Sequence, residues 1–193
     1  MNKGWHIGSL GYTGGATSSH TVFEWIAGWI DLGIANTTSE PSARPRAGSD
    51  MDDHYIGSRW ADAYMALRGD DYVYGAGGDD TLSGGSGNDY LFGGVGDDVI
   101  TGDQGDDYLV GGAGADRFVF YPDAAGDYDI ISDFDPSIDR IVLQHAHLAN
   151  MTSTDPIAIA DTSGGSWIDV FGSIIFLMNV QASEIDDDVF IVL

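Results

Sequence analysis

The sequence predicts an all-β solenoid, a stack of short strands and tight turns repeated at a fixed step, on three grounds. From Gly75 to Val119 the chain reads GAGGDDTLS, GGSGNDYLF, GGVGDDVIT, GDQGDDYLV, GGAGADRFV, all in one nine-residue register. The eighth place of each phrase holds a large apolar residue: Leu82, Leu91, Ile100, Leu109 and Phe118. Of 31 acidic residues, all but Glu24, Glu40 and Glu184 are aspartates, and they accompany 28 glycines. That composition suits turns and hard-cation sites rather than exposed helices.

Each phrase divides into a six-residue turn and a three-residue strand whose middle side chain points inward. The turn glycines occupy places where a Cβ would obstruct the backbone: Gly78, Gly87, Gly96, Gly105 and Gly114 at the fourth position, Gly85, Gly94 and Gly112 at the second. The sixth position is always Asp: Asp80, Asp89, Asp98, Asp107, Asp116. The register also runs backwards through Gly69 and Asp71, then Asp62 with Tyr64 and Asp53 with Tyr55. Eight aspartates thus stand at steps of nine, and residues 51 to 68 read as degenerate leading coils, with Trp60 at a glycine place. A Gly/Asp-rich linker has no use for a phase-locked apolar residue, which argues against disorder.

The phrase Gly-Gly-x-Gly-x-Asp-x-apolar-x resembles the RTX (repeats-in-toxin) hemolysin-type calcium-binding nonapeptide, strongly over 69 to 119 and more weakly over 51 to 68. The resemblance implies a right-handed parallel β-roll with two units per coil. Turns would then stack at steps of eighteen, Asp53, Asp71, Asp89 and Asp107 on one side, Asp62, Asp80, Asp98 and Asp116 on the other. Backbone carbonyls and paired carboxylates between stacked turns suit several Ca²⁺ ions better than Zn²⁺ or Mg²⁺. The expected metal ligands are those eight aspartates with the turn glycines named above. Asp103 departs from the pattern by replacing a second-position glycine. At calcium about a hundred times Kd each site would add ~2.7 kcal/mol, and four sites ~10 kcal/mol, comparable with a domain's whole stability. The roll is therefore expected to fold on calcium binding.

Both flanks read as caps, which a solenoid needs at its ends. Residues 1 to 50 carry a short helix signature, with Thr21 and Glu24 as a capping box, an apolar face of Val22, Phe23, Ile26, Trp29 and Ile30, and Gly33 as its stop; 37 to 50 is linker. That helix caps the roll or docks on a partner assembly. Residues 121 to 193 resemble the segment that follows such repeats in serralysin-type proteases and alginate epimerase R-modules. Ile130-Ile131, Ile138 to Leu143, Trp167 to Phe171 and Ile174 to Met178 are expected as antiparallel strands. Asp127, Asp129, Asp133, Asp135 and Asp139 read as surface turns rather than a further cation site. The ending EIDDDVFIVL resembles the uncleaved export signal of type I secretion substrates, and equally an ordinary final strand.

A formal charge of -24 repels nucleic acid and anionic membranes, and no segment is long and apolar enough to span a bilayer. No cysteine is present, so thiolate sites and disulfides are excluded. There is no His-Glu-x-x-His or Gly-x-Ser-x-Gly phrase, and His145 with His147 lacks an evident third metal ligand. A chain beginning with Met and lacking such motifs is expected to be non-catalytic. It would be secreted or held at the cell surface as a calcium-dependent structural or binding module, exported by type I machinery. A polysaccharide-binding accessory role is the alternative, although only Arg59, Arg68 and Arg117 lie on or beside the roll.

Overall fold

The computed structural model describes residues 46–121, 126–144, 157–170 and 172–192. The expected helix near 21–33 and the His145–His147 pair lie outside the described residues. Fifteen strands follow in order: β1 (Arg46–Ala47), β2 (His54–Ile56), β3 (Ala63–Arg68), β4 (Tyr72–Gly77), β5 (Thr81–Ser86), β6 (Tyr90–Val95), β7 (Val99–Gln104), β8 (Tyr108–Ala113), β9 (Arg117–Phe120), β10 (Tyr128–Ile131), β11 (Arg140–Leu143), β12 (Ala158–Thr162), β13 (Gly165–Val170), β14 (Ser173–Met178) and β15 (Phe190–Val192). Single 3-10 turns occupy Ala182–Glu184 and Asp187–Val189.

Successive strands of the repeat join opposite sheets, which is the parallel β-roll expected from the repeat. One sheet runs β1-β3-β5-β7-β9-β11-β15, and the other β12-β13-β14-β10-β8-β6-β4-β2. Neighbours in each sheet are therefore eighteen residues apart, as Tyr64↔Leu82↔Ile100 and Val73↔Leu91↔Leu109 show. This step follows from a nine-residue unit that supplies only one strand. Alternation then aims the eighth-position side chains inward from both sheets. Val73, Leu82, Leu91, Ile100, Leu109 and Phe118 are all fully buried in one continuous core. At ~25 cal/mol per Å² removed from water, that stripe supplies the apolar driving force for a narrow body.

The leading end is closed by stacked rings. Tyr55 and Tyr64 take the eighth-position places and lie 4.0 Å apart at 8°. Burial first, and then the neighbouring Asp62 carboxylate, push the Tyr55 hydroxyl upward in pKa. Arg46–Ala47, within the stretch expected as linker, pairs in parallel with β3.

The C-terminal region departs from the expectation in one respect. Ile130-Ile131 and Ile141 to Leu143 are not antiparallel: β10 pairs in parallel with β8 and β14, and β11 in parallel with β9 and β15. The roll simply continues for one more coil, because Ile131 and Ile141 supply the next inward pair. Among the described residues only β12, β13 and β14 form an antiparallel meander, and it extends the eight-stranded sheet.

Candidate metal centre

Each sixth-position aspartate sits at the end of a turn just before its strand, and the stacking of coils places its carboxylate beneath the backbone of the coil before it. Asp89 Oδ1 accepts from the Asp71 backbone N–H at 2.8 Å, and Asp107 Oδ1 from Asp89 N–H at 2.8 Å. On the opposite side Asp98 Oδ1 accepts from Asp80 N–H at 2.7 Å, and Asp116 Oδ1 from Asp98 N–H at 2.9 Å. Asp71 and Asp80 take the N–H groups of Asp53 and Asp62 in the same way. Two files of aspartates thus run the length of the roll.

The second carboxylate oxygen tells a different story. Oδ2 of Asp71, Asp80, Asp89, Asp98, Asp107 and Asp116 is buried and has no hydrogen-bond partner. An unsatisfied buried carboxylate oxygen costs several kcal/mol unless a cation or proton neutralises it. The surroundings are built from oxygens. A Cβ placed on Gly84 would run into Asp89 Oδ2 and stand 2.9 Å from the Gly102 carbonyl oxygen, so only glycine leaves the space open. Gly87, at φ +132°, lies so close beneath the Gly69 carbonyl that no side chain fits. The same positive φ recurs at Gly69, Gly78, Gly96, Gly105 and Gly114, and at Gly85, Gly94 and Gly112.

Burial dominates the electrostatics. It raises Asp80 to about 7, Asp107 to about 8, and Asp89, Asp98 and Asp116 to about 6, against the opposing pull of the N–H bond each accepts; Asp71 is also raised. Carboxylates of neighbouring coils push most of these further up, as Asp129 and Asp89 do at Asp107. The charged form is thus disfavoured until a positive charge arrives. Among the described residues no cluster of three or more carboxylate or imidazole side chains meets at one point. The donors on offer are backbone carbonyls with isolated carboxylates, a hard and flexible oxygen set that fits Ca²⁺.

Residues 61–91 and 83–118 match the family of RTX calcium-binding nonapeptide repeats. The chain carries RTX repeats. They bind calcium, and their aspartates form the stacked turns described above. No curated protein matches the chain. Among solved structures it is similar to the AlgE6R3 subunit of the Azotobacter vinelandii mannuronan C5-epimerase, at 26% identity over 79% of this chain and 86% of that one, with a TM-score of 0.44. The AlgE6R2 subunit of the same source gives 25% identity, 78% and 94% coverage and a TM-score of 0.49. The extracellular lipase LipA from Serratia marcescens gives 15% identity, 83% and 42% coverage and a TM-score of 0.38.

Not all eight in-phase aspartates of the RTX array are alike. Asp53 Oδ2 accepts from Ser49 N–H at 2.6 Å, and Asp62 Oδ2 from Ser58 N–H at 2.7 Å. Both oxygens needed for an ion are therefore already committed to backbone donors in the leading coils. The other end carries an unexpected extension. Asp129 and Asp139, expected as surface turns, are buried, and their Oδ1 atoms accept from Asp107 N–H and Asp116 N–H at 3.1 and 3.0 Å. Asp139 Oδ2 accepts from Asp135 N–H at 2.9 Å, so this file also closes on the protein's own donor. The available signal was Asp-x-Ile, in Asp129-Ile130-Ile131 and Asp139-Arg140-Ile141, hidden by steps of 22 and 23 residues instead of eighteen.

A second ladder runs along the fifth positions. Asp70 Oδ1 accepts from Asn88 N–H at 2.8 Å, Asn88 Oδ1 from Asp106 N–H at 2.9 Å, and Asp79 Oδ1 from Asp97 N–H at 3.0 Å. Its polarity is opposite to that of the inner files: the earlier coil accepts and the later one donates. The Asp-Asp doublets of the sequence therefore divide between an inner acceptor and an outer one.

Proposed function

We propose that this chain is an extracellular module that folds when calcium fills the inner aspartate files, and that it acts through binding or structure and not catalysis. Six buried carboxylate oxygens without partners carry the reading. Asp71, Asp80, Asp89, Asp98, Asp107 and Asp116 are the proposed ion-holding side chains, with carbonyl oxygens of the turn glycines completing each site. Asp53 and Asp62, satisfied by Ser49 and Ser58, serve as hydrogen-bonded end pieces.

The energetics favour export before folding. In a calcium-poor compartment the stacked carboxylates repel and the chain stays extended; where calcium is abundant the same carboxylates become ligands. Type I export is part of the proposal, supported by the acidic run from Glu184 to Asp188 ahead of Phe190–Val192. No helix among the described residues is long and apolar enough to cross a membrane. Calcium titration followed by far-UV circular dichroism tests the folding claim; a spectrum unchanged by chelator overturns it. Removing residues 184 to 193 tests the export claim in cells carrying a type I exporter. A polysaccharide-binding role is the second reading, favoured by the aromatic outer face of the eight-stranded sheet.

A further inference from the structure

The two outer faces of the roll differ in chemistry. Strands of the seven-stranded sheet contain Arg46, Arg68, Arg117 and Arg140, with Arg117 and Arg140 directly paired. The eight strands of the other sheet contain no Lys or Arg. Their outward positions are rich in aromatic residues instead. One row runs in register across seven strands, from His54 through Tyr72, Tyr90 and Tyr108 to Ile130, Phe176 and Trp167. Seven strands at ~4.8 Å spacing make a track about 29 Å long. Tyr90 and Tyr72 are open to solvent, at 52% and 38%, while Tyr108, Phe176 and Trp167 are half-buried. Tyr74 and Phe92 flank the row, with Phe92 ringed between Tyr72 at 5.1 Å and Tyr108 at 6.4 Å.

At its C-terminal end the track opens into a groove of about 460 Å³ lined by Tyr128, Trp167, Phe176, Ile174, Thr162 and Asp169. Tyr128 and Phe176 face each other at 6.4 Å and 18°. Asp169 lines the groove and accepts from the Gly172 N–H at 2.8 Å, and a carboxylate has capacity to accept further hydrogen bonds. Exposed aromatic rings set in line beside a groove are what a ligand with flat apolar faces would stack on.

We infer that this face binds an extended, uncharged polysaccharide, with the groove as its principal sugar subsite and the tyrosine row as its track. The inference deepens the second reading above and rests on the calcium-folded roll. Several features select this occupant. The face is long and single-file, which suits a linear polymer better than a compact ligand. Pyranose rings present flat C–H faces to aromatic rings, and their hydroxyls suit tyrosine hydroxyls and Asp169. A polyanion meets no Lys or Arg on these strands and is repelled by a chain of charge -24. A second copy would bring the same charge against itself.

The test uses the full chain in calcium, with folding followed separately by circular dichroism. Titration calorimetry is run with hexasaccharides of β-1,4-linked glucose and of β-1,4-linked N-acetylglucosamine, and with oligomannuronate as the anionic comparison. Binding of at least one neutral probe is expected. Tyr128→Ala and Trp167→Phe should weaken it about tenfold and a few-fold, while Arg117→Ala leaves it unchanged. Tyr90→Ala should weaken the neutral hexasaccharide more than a trisaccharide of the same linkage, titrated alongside it, since only the longer chain reaches the track. Folded protein that binds neither neutral probe, or that binds only oligomannuronate in an Arg117-dependent way, overturns the inference. So does dimerisation abolished by Tyr90→Ala. Failure to fold in calcium contradicts the calcium reading instead, so the two failures are told apart.

Discussion

Replacing Asp89 with Asn separates ion binding from hydrogen bonding within one side chain. Asn keeps Oδ1, and with it the bond from Asp71 N–H at 2.8 Å. It replaces the unpartnered Oδ2 with an NH₂ donor, which cannot hold a cation. One occupied site is worth ~2.7 kcal/mol at calcium a hundredfold above Kd. For a chain of this length each kcal/mol moves Tm by roughly 2–4 °C, so Asp89→Asn should lower Tm by about 5–11 °C in saturating calcium. As calcium is lowered towards Kd the loss should shrink, because the contribution of the site falls with its occupancy. Asp62→Asn is the control. Its Oδ2 accepts from Ser58 N–H at 2.7 Å, so its loss, ~1 kcal/mol, should be indifferent to calcium. Thermal melts by circular dichroism at several calcium levels decide the matter. An equal Tm loss for Asp89→Asn at low and at saturating calcium would refute ion binding at that oxygen.

Other outcomes follow from the same geometry. The inner aspartates titrate higher in the folded roll than in the unfolded chain, so without calcium the folded state holds more protons. Its stability is fullest below the ordinary 3.8 and lost as pH rises through about 6 to 8, whereas the calcium midpoint should worsen on acidification through that range; pH-resolved circular dichroism with and without chelator checks both signs. Gly87→Ala, at φ +132° beneath the Gly69 carbonyl, should cost more than ~2 kcal/mol by urea unfolding in calcium. Leu67→Gly should stabilise by about 1 kcal/mol in that assay, since Leu67 is exposed and strained at φ +89° where its neighbour along the ladder is Gly85. Ile100→Ala, fully buried, should lose about 2–5 kcal/mol.

The nine-residue beat made the roll legible, because turn glycines, Asp and inward apolar residue are each fixed by local geometry. What it hides is whatever depends on the neighbouring coil. Asp62 and Asp80 occupy identical places in the phrase, yet Ser58 folds its N–H onto one while the other keeps a free oxygen. Asp129 and Asp139 read as surface turns because loop insertions break the count, while the hydrogen bonds to Asp107 and Asp116 survive. The parallel pairing of β10 and β11 was missed for the same reason. Tyr72, Tyr90 and Tyr108 repeat at eighteen and were open to reading, but only the topology brings Phe176 and Trp167 into their line.

Alternation of strands between the sheets also constrains how such a gene can change length. A duplication of eighteen codons adds one full turn and leaves every later strand on its own side. A duplication of nine would transpose everything downstream: Tyr108 would land among the arginines, and Arg117 would interrupt the tyrosines. Growth by pairs of phrases is therefore the route that keeps two unlike surfaces on one body.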